Sequence, residues 1–371
     1  MATEQPRDCY DVAVIGAGQA GLAIGYFLKR QEKHFVILDA AVSIGAAWRA
    51  RWDSLVLFTP RRYDSLPGLS FPGDRDGYPT RDEVIGYLES YGEKFALPLD
   101  LGSEVRTITR DDDTFLLDLG GRTVEARQVV VATGPFQTPH VPDFASELAP
   151  GVFQTHSQGY RASSDVPEGS VVVVGGGNTG YQIASELSST HNVYLAVRGR
   201  QKPLPQKLLG RDLFWWLVTT RLFKTSINSR LGRKLSRRDT LIGSSPRALE
   251  RDGVKMKPRM TGASGRMVSF SDGSELSVDA VIWATGFSHD HSWIRLPIVD
   301  HDGRARHRRG VTDVPGLYFL GLPWQHTRGS ALLGWVKEDA AYIAGRIDAT
   351  GRQSEQPAPG APRAMATGAP A

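Results

Sequence analysis

VAVIGAGQAG at residues 12–21 is followed, further along the chain, by VVVVGGGNTG at 171–180, with the first glycines of the two turns 159 residues apart. Each is a β-branched run feeding a glycine-spaced turn, with Gly16, Gly18 and Gly21 in the first copy and Gly175, Gly177 and Gly180 in the second. An unbroken Val/Ile run suits a parallel strand buried on both faces. The first glycine permits a sharp turn, the second lets backbone approach a pyrophosphate, and the third lets the next helix pack on the strand. The helix N-terminus then faces the phosphate charge. LAIGYFLKRQ and HFVILDA follow the first copy, and YQIASELSST and NVYLAVR follow the second. The pattern predicts two complete strand–helix–strand units with a dinucleotide at each, against the alternative of two purely structural glycine turns.

The ends of the second strands separate the two sites. Asp39 lies 18 residues after Gly21, where a carboxylate accepts hydrogen bonds from ribose hydroxyls. Arg198 lies 18 residues after Gly180, and Arg200 follows it. A guanidinium there suits a ribose 2′-phosphate and pairs poorly with a bare hydroxyl. The first site is therefore expected to hold FAD or NAD and the second NADPH; two ordinary surface cations are the competing reading of the arginines.

With 371 residues, 40% hydrophobic and 23% charged, the composition is that of a globular protein of two domains or one large one. The polar start MATEQPRDCY leads straight into a strand and reads as no signal peptide, and the single cysteine, Cys9, fits a reducing cytoplasm. No metal site is expected. The net charge is only +4, but Arg198–Thr240 carries twelve Lys/Arg against two acids, a local +10, which leaves −6 for the rest. That stretch includes PLPQKLLGRDLFWWLVTTRLF, with apolar residues near helical spacing. It reads as a basic helical excursion, about 201–240, covering the active site. Peripheral membrane contact or apolar-substrate entry is the second reading, and no nucleic-acid module accompanies the charge.

VVVATG (Val129–Gly134) recurs as VIWATG (Val281–Gly286). Strand then ATG, twice, suggests that the chain leaves and re-enters one domain at matching crossings. The fold expected is α/β, with two Rossmann-like dinucleotide-binding domains and the NADPH domain (161–280) inserted into a discontinuous FAD domain (8–160 and 281–350). The alternating stretch 105–134 predicts a β-meander, RDEVIGYLESYGEKF (81–95) a helix, and the Ala/Gly/Pro-rich tail 351–371 disorder.

Taken together, these features resemble the class B flavin-dependent monooxygenases among the two-dinucleotide-binding-domain flavoproteins, particularly the CzcO-like and YUCCA-like branches, over roughly residues 8–350. GAAW (45–48) is similar to the family's GGxW, which implies Trp48 at the flavin. WDSLVLFTP (52–60) and GYPTRDEVIGYL (77–88) resemble flavin-lining segments, which implies Thr59, Tyr78 and Thr80. The crossings imply Thr133, Gly134, Thr285 and Gly286. LYFLGL (317–322) implies Gly321 beside the flavin, and GGGNTG implies Asn178 and Thr179 at NADPH. VFQTHSQGYR resembles the second half of the family's identifying sequence and supplies His156 and Tyr160 as candidate catalytic residues. Pro150 and Val152 stand where its Phe and Gly would be. Tyr160 replaces the Trp of typical Baeyer–Villiger enzymes, and Phe58 stands near the place of an Asn that other members set by the isoalloxazine.

The resemblance implies an NADPH-dependent FAD monooxygenase. Its flavin C4a-hydroperoxide would insert one oxygen atom from O2 into an N-, S- or activated C-centre of a small organic substrate. The alternative is a reductase passing electrons to a quinone, a metal(loid) or a protein acceptor, and a flavin-containing redox sensor is the non-enzymatic third. With one cysteine the chain has no dithiol to relay electrons. A homodimer is the default expectation.

Overall fold

The computed structural model describes residues 8–199, 203–237, 241–300 and 303–354. Leu317–Phe319, Thr123–Val131, Asp8–Ile15, Phe35–Asp39 and Leu99–Leu101 run parallel, in that order, in a first sheet. Thr107–Asp111 and Thr114–Asp118 add an antiparallel meander onto Thr123–Val131. The central strands are apolar on both faces because helices cover one face and the meander with residues 293–298 covers the other. On the helical face, Gln19–Arg30 packs against the C-terminal helix Val336–Ser354. Val336, Ala340, Ile343, Ala344 and Ile347 form that helix's buried stripe. Full burial of each of its large side chains is worth about 1.5–3 kcal/mol.

The second sheet is wholly parallel: Lys255–Lys257, Asn192–Ala196, Ser170–Val174, Ala280–Trp283 and Phe153–His156. Its helix Asn178–Leu187 packs Tyr181, Ile183 and Leu187 onto Val171 and Val173. Two of these strands correct the boundaries drawn from sequence. Phe153–His156 lies before residue 161 and Ala280–Trp283 straddles 280/281, yet both are strands of the second sheet. Ala280–Trp283 has hydrogen-bonded neighbours on both sides, so its VIWA run is an interior strand of that sheet rather than a return to the first. The two crossings nevertheless run side by side, with Phe287 opposite Pro139 and Ser288 opposite Thr138 in an antiparallel pair.

The basic excursion is only partly helical. A hairpin (Lys207–Leu208 with Arg211–Asp212) precedes helices Leu213–Thr219 and Arg230–Ser236. It is braced on the first unit: the Phe214 and Phe223 rings lie 5.8 and 4.5 Å from Trp335, and the Ile227 N–H donates to the His326 carbonyl at 2.8 Å. The C-terminal helix continues to Ser354, past the expected onset of disorder at 351; residues 355–371 lie outside the described residues.

Between the sheets, the segment after Trp52 buries one carboxyl completely. Asp64 is 0% exposed; the Thr59 hydroxyl donates to its Oδ1 at 2.7 Å, and its Oδ2 has no hydrogen-bond partner among the described residues. Burial pushes its pKa up to about 7, against the opposing pull of the Thr59 hydroxyl, Arg61 and Lys337. The folded state therefore holds a proton that the unfolded chain has already released, and stability falls as pH rises from about 4 to 7. Asp64→Asn should flatten this dependence. Its unfolding free energy relative to wild type should rise between pH 5 and pH 8 by an amount on the order of a few kcal/mol, as scanning calorimetry at the two pH values would measure.

Candidate active site

Both glycine turns are built on close backbone contact. A Cβ at Gly16 would stand 2.6 Å from the Ala132 carbonyl oxygen, and one at Gly175 would stand 2.1 Å from that of Ala284. Both glycines have positive φ, +112° and +141°. Gly21 and Gly180 pack as tightly beneath the turns: a Cβ there would fall 1.8 and 2.2 Å from the Gly16 and Gly175 carbonyl oxygens. Gly18 and Gly177 are different. They are the N-caps of the two helices, no side chain caps them, and a Cβ on either would meet no protein atom within 4 Å. Each turn therefore presents uncapped N–H groups to an open concavity, which is the room and polarity a diphosphate requires.

A cavity of about 1250 Å3 runs between these turns. From the first unit, Gly16, Gly18, Asp39, Trp48 and Thr59 line it, with Thr133 and Gly134 from the first crossing and Gly321 from the turn after Leu317–Phe319. Gly177, Asn178 and Thr179 line it from the second unit. Asp39 is held rigidly: Oδ2 accepts from the Ala17 N–H at 2.6 Å and Oδ1 from the Ala41 N–H at 2.8 Å. The Trp48 indole N–H donates to Gln19 Oε1 at 3.1 Å, tying the GAAW turn to the first helix. Asn178 Oδ1 accepts from the Ile242 N–H at 2.9 Å, fastening the end of the excursion to the second turn.

The other predicted residues lie off this wall. Tyr78 donates its hydroxyl to Asp212 Oδ2 at 2.7 Å, joining the 52–80 segment to the excursion, and burial, aided by that carboxylate, pushes the phenol up to about 12. Thr80 caps the helix Arg81–Lys94 in a reciprocal box with Glu83. The Thr285 hydroxyl donates to the His140 carbonyl, and the Gly286 carbonyl accepts from the His140 N–H. Arg198 stands exposed two residues beyond Asn192–Ala196, and Arg200 lies outside the described residues.

His156 and Tyr160, the candidate catalytic residues, do not line the cavity. His156 Nδ1 accepts from the Gln158 N–H at 3.2 Å, so Nε2 carries the proton and donates to the Gly286 carbonyl at 3.0 Å. Burial, aided by the Arg51 charge, lowers its pKa and keeps the ring neutral. It buttresses the second crossing. Tyr160 is 2% exposed and packs in the core of the second unit, where burial and the nearby Glu186 carboxylate push its phenol far up.

Sequence reasoning missed Arg51. It lines the cavity with its guanidinium 4.2 Å from the Phe136 ring and 5.3 Å from the Phe287 ring, one from each crossing. Burial first, then the Arg161 charge, pulls its pKa down to about 10, which leaves it a cation at neutral pH. No spacing marks it in the sequence, since both rings lie far along the chain. Gln19, Gln137 and Gln182 also reach the wall.

Comparison with known proteins agrees with this architecture. Residues 13–208 match the model of the pyridine nucleotide-disulphide oxidoreductase family. The chain is 48% identical to an uncharacterized CzcO-like oxidoreductase of Geobacillus kaustophilus, over 91% of its own length and 98% of that protein. It is 30% identical to the indole-3-pyruvate monooxygenase YUCCA1 of Oryza sativa, over 93% of each. Among solved structures, a flavin-containing monooxygenase from Stenotrophomonas maltophilia is similar with a TM-score of 0.78 and 31% identity, over 92% of this chain and 99% of that one. Among the described residues, no helix is long and apolar enough to cross a membrane. Two glycine turns on one cavity, a single cysteine and full-length relatives of this kind lead to one assignment: the chain belongs to the flavin-dependent monooxygenases of the CzcO-like and YUCCA-like type, an oxidoreductase branch of the pyridine nucleotide-disulphide oxidoreductase family.

Proposed function

We propose that the protein is an NADPH-dependent FAD monooxygenase that places one atom of O2 on a nucleophilic N, S or activated C centre of a small organic substrate. The observation that carries this reading is the single cavity touching both glycine turns, which allows two dinucleotides to meet inside one wall. Bound FAD and NADPH would supply hydride transfer and the activation of oxygen. The chain's part is binding, orientation and the exclusion of water.

Asp39, fixed by two backbone N–H groups, offers its remaining lone pairs to the ribose hydroxyls of FAD. The uncapped helix start at Gly18 takes the FAD diphosphate, and the one at Gly177 takes that of NADPH. Arg198 meets the 2′-phosphate. Trp48, Trp52, Leu55, Leu57 and Phe58 present apolar surface to the cavity and keep its centre dry. Arg51 places a fixed cation between the two crossings. His156, bonded to the Gly286 carbonyl, holds the second crossing in place.

Gly177→Ala should leave the melting temperature of the flavin-loaded protein unchanged, because the added methyl meets no protein atom. It should raise KM for NADPH at least tenfold, because that methyl occupies the phosphate's room. A large loss of melting temperature or an unaltered KM contradicts the assignment. Arg198→Ala should raise KM for NADPH roughly 10- to 150-fold, the equivalent of one charge-assisted hydrogen bond, and leave KM for NADH within about twofold; equal effects on the two coenzymes remove the phosphate contact. Supplied with 18O2, NADPH and methyl phenyl sulfide, the enzyme should yield sulfoxide with one labelled oxygen per NADPH oxidised, the second oxygen leaving as water. Unlabelled product, with NADPH consumed only when menadione or ferricyanide accepts the electrons, favours the reductase.

A further inference from the structure

A second cavity of about 130 Å3 lies beside the first. Phe58, Arg328 and Leu332 belong to the walls of both and form the partition between them. Beyond the partition the walls are hydrocarbon: Phe214, Leu217, Phe223 and Ile242 come from the excursion and its end, and Trp324 faces them. Among the described residues Arg328 is the one charged side chain on this wall. A water molecule needs two to four polar partners to stay in such a space, whereas an apolar cavity of about 150 Å3 lined by Leu, Ile and Phe stays dry and accepts benzene.

The chamber is preformed. The Phe58 and Phe214 rings stack at 5.9 Å and 15°, Phe214 meets Phe223 edge-on at 5.7 Å, and both of these lean on Trp335. Rings locked against one another in this way cannot collapse into the space. On the outer side its walls include Leu204, Leu222 and Leu235, which are 40%, 43% and 37% exposed, so an apolar rim connects the chamber to the surface. Half-exposed leucines around an apolar chamber are what an entering apolar group would cover, and they sit on the segment that sequence alone singled out as a basic excursion.

We propose that this chamber is the binding pocket for the apolar end of the substrate, an uncharged aryl or branched-alkyl group about the size of benzene. The group enters past the leucine rim and leaves the reacting atom at the Phe58 partition, beside the main cavity. The assignment of that atom as the one oxygenated rests on the monooxygenase reading; the binding of the apolar end does not. The pocket selects for size and against charge, since only hydrocarbon awaits a group seated beyond the partition.

Benzene titrated into the flavin-loaded protein and followed by saturation-transfer NMR tests the pocket without any turnover. Saturable binding is expected. Leu217→Trp, which fills the space, should weaken it at least tenfold, with Ile242→Phe as a second filling variant and bound-flavin absorbance as the check of folding. Leu217→Ala, which widens the pocket, should admit p-xylene. In steady state KM for methyl phenyl sulfide should be at least tenfold below that for dimethyl sulfide, a ratio that Leu217→Trp collapses. No saturable benzene binding, or binding unaltered in both filled variants, overturns the pocket even if sulfides are oxygenated. Benzene binding lost in the filled variants, with no sulfide oxygenated by wild type, upholds the pocket and rejects the monooxygenase reading.

Discussion

The molecule depends on two places where backbone touches backbone with no side chain between. Gly16 lies under the carbonyl of Ala132 and Gly175 under that of Ala284, and in each pair the third glycine of the turn is pressed beneath the first. These contacts lock the strand that carries the glycines to the strand that carries the ATG. They thereby fix where the following helix begins. Because the helix start is the polar end of each dinucleotide cradle, the location of the cavity follows from them. A methyl group at any of the four inner glycines collides with main chain, whereas at Gly18 and Gly177 it meets nothing. The same motif therefore separates residues that hold the protein together from residues that hold a ligand.

A second constraint comes from the C-terminal segment. Gly334 lies so close to the Tyr63 carbonyl oxygen that a Cβ would stand 1.6 Å from it, and the next residue, Trp335, stacks on Tyr63 and receives Phe214 and Phe223. Three stretches that are remote in sequence meet there: the loop around Asp64, the excursion, and the approach to the last helix. Lys337 reinforces the junction by donating to the Ser65 carbonyl at 2.9 Å. The excursion is thus packed against the first unit, and it supplies most of the wall of a second, smaller cavity.

How far the site can be read in the sequence depends on the range of the interaction. Both glycine turns, the strands that feed them and the carboxylate at Asp39 are local patterns, and the structure has them where the periodicity places them. The two ATG strands have nearly the same composition, so no local feature says that Val129–Val131 belongs to one sheet and Ala280–Trp283 to the other; only their distant partners decide it. The cap at Thr80 is legible locally, since Thr80 and Glu83 have capping-box spacing before an apolar helical pattern. His156 is legible as a motif, while its hydrogen bond to the Gly286 carbonyl is not, because Gly286 lies on the other crossing. Arg51 and the apolar chamber left no trace, being made entirely of contacts between residues far apart in the chain.

The order of strands in the first sheet also dictates a schedule during synthesis. Leu317–Phe319 pairs directly with Thr123–Val131, and Val336–Ser354 covers the helix Gln19–Arg30, yet the whole second sheet is encoded between them. At the usual pace of translation, roughly 5–20 residues per second, the nascent chain waits about ten to forty seconds with the Val129–Val131 edge of its first β-sheet unpaired and the outer side of Gln19–Arg30 uncovered. The later unit is complete as soon as Ala280–Trp283 emerges, so the half that begins second finishes first. Slow elongation upstream of residue 317 would therefore lengthen the interval in which that apolar surface is open to chaperones or to aggregation.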